Sequence, residues 1–204
     1  MRIRLEYLSG YTEGEIAITG SKSESNRLLI LQALFPKIRI KNISNSDDSK
    51  VTENALKSTD SIIDIHHAGT AMRFLAAYFA HLDGREVLLT GSKRMQQRPI
   101  KILVEALQAI GASISYEKED GFPPIRIHGK KLKGGKVSLP ANTSSQYISA
   151  LLLIGPVLEN GIQLELKGKI TSLPYINMTL ALLKNLGVKT KFKDQNIRVK
   201  PQQN

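Results

Sequence analysis

Two stretches of this chain repeat each other, and that repeat limits its architecture more than any other feature. Pro99-Ile100, followed by Leu107 and Ile110-Gly111-Ala112, has a counterpart in Pro174-Tyr175, followed by Leu183 and Leu186-Gly187-Val188. Each reads as a helix with Pro in its first turn, stopped by Gly and running into a strand. Upstream of each lies a strand, and before that an apolar helix opened by small polar residues: Gly69 to Arg73, and Thr143 to Gln146. A third such opening, Ser21 to Arg27, runs into Leu28-Leu29-Ile30-Leu31. The repeating unit is strand, helix, strand, helix, strand pair. Three copies are predicted, the first abridged, because Lys57 to Ser61 leaves little room for a strand pair. The lead helices are apolar nearly all round and so belong at the centre, with sheets outside. The expected class is α/β (α+β): three βαβαββ-like units with buried central helices and outer sheets. A chain of 204 residues, 41% hydrophobic, can fill one sizeable core or two small ones.

In chain order, residues 2–6 and 14–18 read as short strands about a turn at Ser9-Gly10. A helix spans 22–34, an alternating strand 37–43, and a helix capped by Ser46-Asp47-Asp48 runs to about Lys57. Strands at 61–65 and 85–90 flank a helix ending at His81. Strands at 112–116 and 124–128 join through Glu119-Asp120-Gly121. Strands at 136–139 and 162–166 flank the helix through Leu151-Leu152-Leu153-Ile154, and 188–192 with 197–200 close the chain.

The three helix openings are the candidate chemistry. Ser21 and Glu24 stand three apart before an apolar run, which is capping-box spacing. With Ser21 as N-cap, Lys22 and Ser23 fall in the first turn, where free N–H groups and the helix dipole favour an anion. Arg27 follows Ser23 by four residues and shares its face. A hydroxyl, an ammonium and a guanidinium then converge, a good receptor for phosphate or carboxylate. The plainer reading is a capped helix with a few exposed charges. Thr143 and Gln146 also have capping-box spacing, which leaves Gln146 either a cap partner or a ligand. Three such N-termini opening on one face would make a strongly anion-attracting cleft.

The charge agrees with an anionic partner: 29 Lys plus Arg against 18 Asp plus Glu give a formal net charge of +11. Nucleic acid and small anionic substrates both qualify. With 5% aromatic residues and no Trp, stacking platforms for single strands are scarce. Lysines alternating through Val188 to Lys193 read as the wet face of a strand. There is no Cys, which removes disulfides and thiolate chemistry. No apolar run is long enough to span a bilayer, and the first residues lack the apolar core of a signal peptide, so a cytoplasmic protein is expected. His66, His67, His81 and His128 lack metal-ligand spacing, so no metal site is expected. Asp47 and Asp48 read as a helix cap rather than a catalytic pair.

Taken together, Gly20-Ser21-Lys22-Ser23-Glu24-Ser25-Asn26-Arg27, Ala68-Gly69-Thr70-Ala71-Met72-Arg73, Leu89 to Ile100 with its Arg98-Pro99, Ser144-Ser145-Gln146 and Ser172-Leu173-Pro174-Tyr175-Ile176 resemble the enolpyruvyl transferase family. The resemblance is to the branch acting on shikimate-3-phosphate. The motifs occur in family order with family-like spacing across nearly the whole chain. The sister branch acting on UDP-N-acetylglucosamine matches less well, because it usually has Lys-Asn at Lys22-Ser23 and typically carries a reactive Cys. Members are roughly twice this length, with two similar halves of three units each and the active site between them. The resemblance implies that residues 1–13 are a leading strand belonging with a second domain, and that 14–204 form the shikimate-3-phosphate-binding domain. It also implies that a C-terminal half, carrying the proton-transfer carboxylates, is missing.

Carried over by motif, Lys22 is catalytic. Lys22, Ser23, Arg27, Ser144, Ser145, Gln146, Ser172 and Tyr175 would hold shikimate-3-phosphate, and Lys22, Gly69, Arg98 and Gln146 would hold phosphoenolpyruvate. No cofactor, metal, nucleic acid or membrane is implied, and a monomer is expected. Arg73 reads as a structural ion-pair partner at its helix start rather than a direct ligand. The chain departs from the family at His67, where Asn is usual, and at Phe74, where Pro is usual. The first puts one amide donor near phosphoenolpyruvate in question; the second bears on the helix start and the response to glyphosate. A basic α/β module binding nucleic acid by electrostatics is the alternative, and steep salt dependence with indifference to shikimate-3-phosphate would mark it.

Overall fold

The computed structural model describes residues 15–202. The strand expected at 2–6, the turn at Ser9-Gly10 and the leading strand 1–13 lie outside the described residues. The elements are α1 (Lys22–Leu34), α2 (Asp47–Lys57), β1 (Ile62–Asp64), α3 (Gly69–His81), β2 (Glu86–Thr90), α4 (Lys93–Gln96), α5 (Lys101–Ala109), β3 (Ser113–Tyr116), β4 (Ile125–His128), β5 (Gly135–Pro140), α6 (Ser145–Ile154), β6 (Ile162–Lys167), α7 (Leu173–Asn185), β7 (Thr190–Lys193) and β8 (Asn196–Val199).

The repeat is explicit in the sheets. One has strand order β1-β2-β4-β3 and the other β5-β6-β8-β7, the same topology twice. In each, the first two strands are parallel and the others antiparallel. A parallel pair needs a crossover, and α3 and α6 supply it. Each sheet buries one face: Val87 and Leu89 point inward from β2, and Ile162, Leu164 and Leu166 from β6. Between the sheets, α3 packs on α6, and both are buried along nearly their full length. The apolar side chains of both units merge into one continuous core. No helix among the described residues is long and apolar enough to cross a membrane.

The first unit differs. Among the described residues it consists of α1 and α2 without strands. The strand expected over 14–18 is absent from 15–18, where Ile16 and Ile18 are exposed. The strand expected over 37–43 is also absent. Its alternation is real, since Lys37, Arg39 and Lys41 are exposed while Ile38 and Ile40 are half-buried. A strand also needs a partner for its backbone, and no described strand flanks this segment. Instead the Gln32 side chain donates to the Ile38 carbonyl, and Asn42 turns the chain at φ 51°. Polar contacts replace sheet packing here. Ser25 Oγ accepts from Ser44 N at 2.9 Å, and Asn26 Oδ1 accepts from Ser49 Oγ at 2.9 Å.

Local signals mostly held. Ser46 caps α2 by accepting from Ser49 N. Two details moved: Pro99 precedes the N-cap Ile100 of α5 rather than lying in its first turn, and the short α4, capped by Ser92, was not anticipated. Gly134, at φ 74°, enters β5 so close to its neighbour that a Cβ would stand 2.1 Å from the Gly161 carbonyl oxygen. The α3–α6 contact is the structural centre, and Leu151 on α6 is fully buried in the core. Leu151→Ala is expected to lower the unfolding free energy by about 2–5 kcal/mol, read from the urea midpoint. A loss under about 1 kcal/mol would show that this layer is not the stabilising core.

Candidate active-site cleft at four helix N-termini

Four helices open on one cleft of about 320 Å³, lined by Lys22, Ser23, Arg27, Thr70, Ser144, Ser145, Gln146 and Tyr175. Lys22 and Ser23 begin α1, Thr70 is second in α3, Ser144 to Gln146 open α6, and Tyr175 stands in the first turn of α7. Each helix presents its positive dipole end and unbonded N–H groups there. Two cations and hydroxyl or amide groups line the wall, with no carboxylate among them. A larger groove of about 810 Å³ beside Phe35, Ile38 and Leu186 has no comparable cluster of hydroxyls.

Capping differs from the expected boxes. Ser21 stands at the N-cap of α1, but its hydroxyl makes no cap bond. In α6 the N-cap is Ser144 rather than Thr143, and Ser144 Oγ accepts from Gln146 N at 3.3 Å. The Gln146 side chain leaves its own helix, and its Nε2 donates to Thr70 Oγ1 on α3 at 3.1 Å. Gln146 is therefore a bridge across the cleft floor, not a cap partner.

Arg27 is 3% exposed, and each of its nitrogens is engaged. Nε donates to Thr179 Oγ1 at 2.8 Å, one terminal nitrogen to Ser149 Oγ at 2.9 Å, and the other to the Ser23 carbonyl at 2.7 Å. Among the described residues no carboxylate pairs with it. Burial lowers its pKa to about 10, opposed by the Tyr175 hydroxyl. Its Cζ lies 5.4 Å from the Phe74 ring centre and 5.8 Å from that of Tyr175, within cation–π range. Phe74 thus leaves α3 unbroken and supports the Arg27 guanidinium.

Lys22 differs in kind. Its side chain is 52% exposed, and its ammonium stands 3.8 Å from Asp48 Oδ2, a loose contact. Asp47 and Asp48 occupy the first turn of α2, which Ser46 caps. Beside them, His66, His67 and Ala68 line a second hollow of about 310 Å³. Arg98 is exposed, and its guanidinium lies against Gly69: a Cβ there would stand 2.2 Å from an Arg98 terminal nitrogen. Gly69 and Arg98 therefore come together, one residue from Thr70, but neither lines the main cleft. Ser172 also stands outside its wall, as N-cap of α7, its carbonyl accepting from Tyr175 N.

Arg73 corrects the ion-pair expectation. It is buried and donates to the carbonyls of Gly69 and Pro99, at 3.1 and 2.9 Å, with no carboxylate partner among the described residues. Tyr147 Oη donates to the same Pro99 carbonyl at 2.6 Å. The pair fastens α3 to the segment carrying Arg98. Burial lowers the Arg73 pKa; the neighbouring Tyr147 opposes this shift and Arg98 adds to it.

Three residues were missed: Thr70, Ser149 and Thr179. Periodicity holds the missing signal for two of them. Ser149 follows Ser145 by four residues and Thr179 follows Tyr175 by four, so each lies one turn below a cleft residue.

Arg27→Met is expected to leave the unfolding free energy of the ligand-free chain within about 1 kcal/mol of the parent, or to raise it, because among the described residues no buried carboxylate is left unpaired. A loss above about 3 kcal/mol in chemical denaturation would mean that Arg27 is chiefly a structural strut.

With this geometry in hand, comparison with known proteins is specific. The family model for EPSP synthase (3-phosphoshikimate 1-carboxyvinyltransferase) matches residues 57–204, the two complete units. The chain is 52% identical to the 3-phosphoshikimate 1-carboxyvinyltransferase of Bacteroides fragilis over 92% of its own length and 46% of the relative. It is 41% identical to that of Actinobacillus pleuropneumoniae, over 88% of this chain and 48% of the relative. The chain spans about half the length of the curated relatives it matches. Its fold resembles the solved EPSP synthase from Acinetobacter baumannii with a TM-score of 0.76 at 22% identity, over 93% of this chain and 47% of that one. Doubled sheet topology, motif order and family match agree, and the chain belongs to the EPSP synthase (3-phosphoshikimate 1-carboxyvinyltransferase) family.

Proposed function

We propose that residues 14–204 act as the shikimate-3-phosphate-binding domain of an enolpyruvyl transferase, and that the cleft at the four helix N-termini is its site. The observation that carries this is the wall itself. Lys22, Ser23, Arg27, Ser144, Ser145, Gln146 and Tyr175, all expected as ligands, line one acid-free cleft. In this reading the serines and helix N–H groups receive the phosphate, and Arg27 and Tyr175 the remaining shikimate face. Ser172 joins from the next turn of chain. Phosphoenolpyruvate lies toward Gly69 and Arg98, with Lys22 and Gln146 facing both substrates. The nucleic-acid alternative gains no support from the cleft or the comparisons.

The chemistry suits such a wall. The shikimate 5-hydroxyl adds to phosphoenolpyruvate, giving a tetrahedral adduct, and phosphate is then eliminated. Two polyanions must first be brought into contact, which is repulsive unless fixed positive charge and N–H donors meet them. Lys22, half exposed and loosely held, is a mobile donor for charge that moves between steps. Arg27 and Arg98 offer planar forks for oxygens that stay in place. The proton transfers fall to carboxylates of a second domain, which also closes the cleft to water. We place the reaction in the cytoplasm and the working unit as a monomer containing that second domain.

Two experiments test the reading. Losing a charge-assisted bond costs about 1.5–3 kcal/mol. Calorimetry should show Arg27→Ala weakening shikimate-3-phosphate much more than Lys22→Ala does; equal effects would overturn the division of roles. The 204-residue chain alone should gain thermal stability with millimolar shikimate-3-phosphate, in proportion to occupancy. Its phosphate release from the two substrates should stay at background until a matching C-terminal domain is added. Absence of a thermal shift would overturn the binding site, and turnover by the chain alone would overturn the need for a second domain.

A further inference from the structure

Arg27 combines three properties that rarely coincide. It is nearly fully buried, it borders a cleft, and among the described residues every group accepting from it is neutral. Two of those acceptors, Ser149 and Thr179, are themselves at 0% exposure. They form a closed pair: Thr179 Oγ1 lies 3.0 Å from Ser149 Oγ and 3.0 Å from the Tyr175 carbonyl. The Thr179 hydroxyl accepts from Arg27 Nε and gives its own proton to one of these neighbours. Ser149 comes from α6 and Thr179 from α7, so the guanidinium is held by two helices besides its own.

The acceptor chemistry matters. A carboxylate at position 149 or 179 would hold the guanidinium more strongly, but would also neutralise it. Hydroxyl oxygens are directional and uncharged, so they fix orientation and leave the charge available. A guanidinium has five N–H donors, and the three named bonds leave two free. The Phe74 and Tyr175 rings restrict tilting. Among the described residues Arg27 has no counter-ion; an anion entering the cleft would supply one, so the energetic cost of burying the Arg becomes a preference for the occupied state.

We propose that Ser149 and Thr179 are positioning residues: they set the plane of the Arg27 guanidinium while leaving its charge uncompensated for an anionic ligand in the cleft. The ligand part of this inference rests on the cleft being the shikimate-3-phosphate site. The orientation part stands on the ligand-free chain.

Both parts are tested with Thr179→Val, which keeps the shape and removes the acceptor, and Thr179→Ser, which restores it. The first readout is hydrogen exchange of the Arg27 Nε–H by nitrogen-15 NMR on the ligand-free chain. Exchange should be slow in the parent and in Thr179→Ser and at least about ten-fold faster in Thr179→Val, with the backbone amide spectrum otherwise retained. The second is a double-mutant cycle with shikimate-3-phosphate. Thr179→Val should weaken binding about ten-fold in the parent and have little effect in an Arg27→Lys background, while Thr179→Ser stays near the parent. Equal weakening in both backgrounds, or unchanged Nε–H exchange in Thr179→Val, would overturn the positioning role. If the parent chain bound no shikimate-3-phosphate, the site assignment would fall and the exchange experiment would still decide the orientation of Arg27.

Discussion

Four helix N-termini meeting at one point repel each other, and that constraint organises the molecule. Each end carries roughly half a positive charge, and Lys22 and Arg27 add two full ones. Such an arrangement does not assemble for electrostatic reasons. It is imposed by the packing of α3 on α6, whose apolar length is buried between two sheets. The core therefore opposes the site: apolar area removed from water offsets the cost of gathering positive ends, and the surplus is an electrostatic field aimed at the cleft.

The two kinds of unit divide this labour. The second and third have complete sheets and carry the apolar core. The first has helices without described strands, and α1 buries Ser25, Asn26 and Arg27 where its counterparts bury mostly apolar side chains. Buried polar groups demand specific partners, and each finds at least one: Ser44, Ser49, and the hydroxyls of Ser149 and Thr179. The exacting part of the fold lies in the unit that presents Lys22 and Ser23, while the two sheet units form a tolerant frame. Precision of placement at α1 is thus inherited from side chains on α2, α6 and α7.

Much of this was legible in the sequence where signals are local. Pro and Gly marked the ends of α5 and α7, Ser46 marked α2, and the repeat yielded two sheets of one topology. Signals that need a partner failed. Residues 37–43 alternate as a strand should, but a strand exists only through its neighbour's hydrogen bonds. Capping boxes likewise require a geometry that spacing alone does not set: Gln146 had a nearer use across the cleft, and Ser21 remained a cap in position only. The cleft-facing residues were reached through motifs. Thr179 and Ser149, which hydrogen-bond to Arg27, were not, because a buried hydroxyl one turn below a cleft residue looks like any small core residue until the guanidinium is seen beside it.

The bulk charge of the chain and the charge of the cleft are arranged differently. Lys136, Lys167, Lys191, Lys193 and Arg198 stand exposed on the outer β5–β8 sheet, away from the cleft-lining set. These cations are solvated, and Lys136 already pairs with Glu165 at 2.9 Å. Beyond about 8 Å at physiological salt their field is largely screened, so they raise the encounter rate of any anion without choosing among anions. Inside the cleft the order is reversed. Arg27 is shielded from salt by burial and has no competing carboxylate among the described residues, and the serines line the same wall with their hydroxyls. A cavity of about 320 Å³ with these groups fixed around it can discriminate among anions by shape, which the solvated surface cations cannot do. The surplus of +11 is therefore chiefly a property of the surface, and two cations, Lys22 and Arg27, line the cleft.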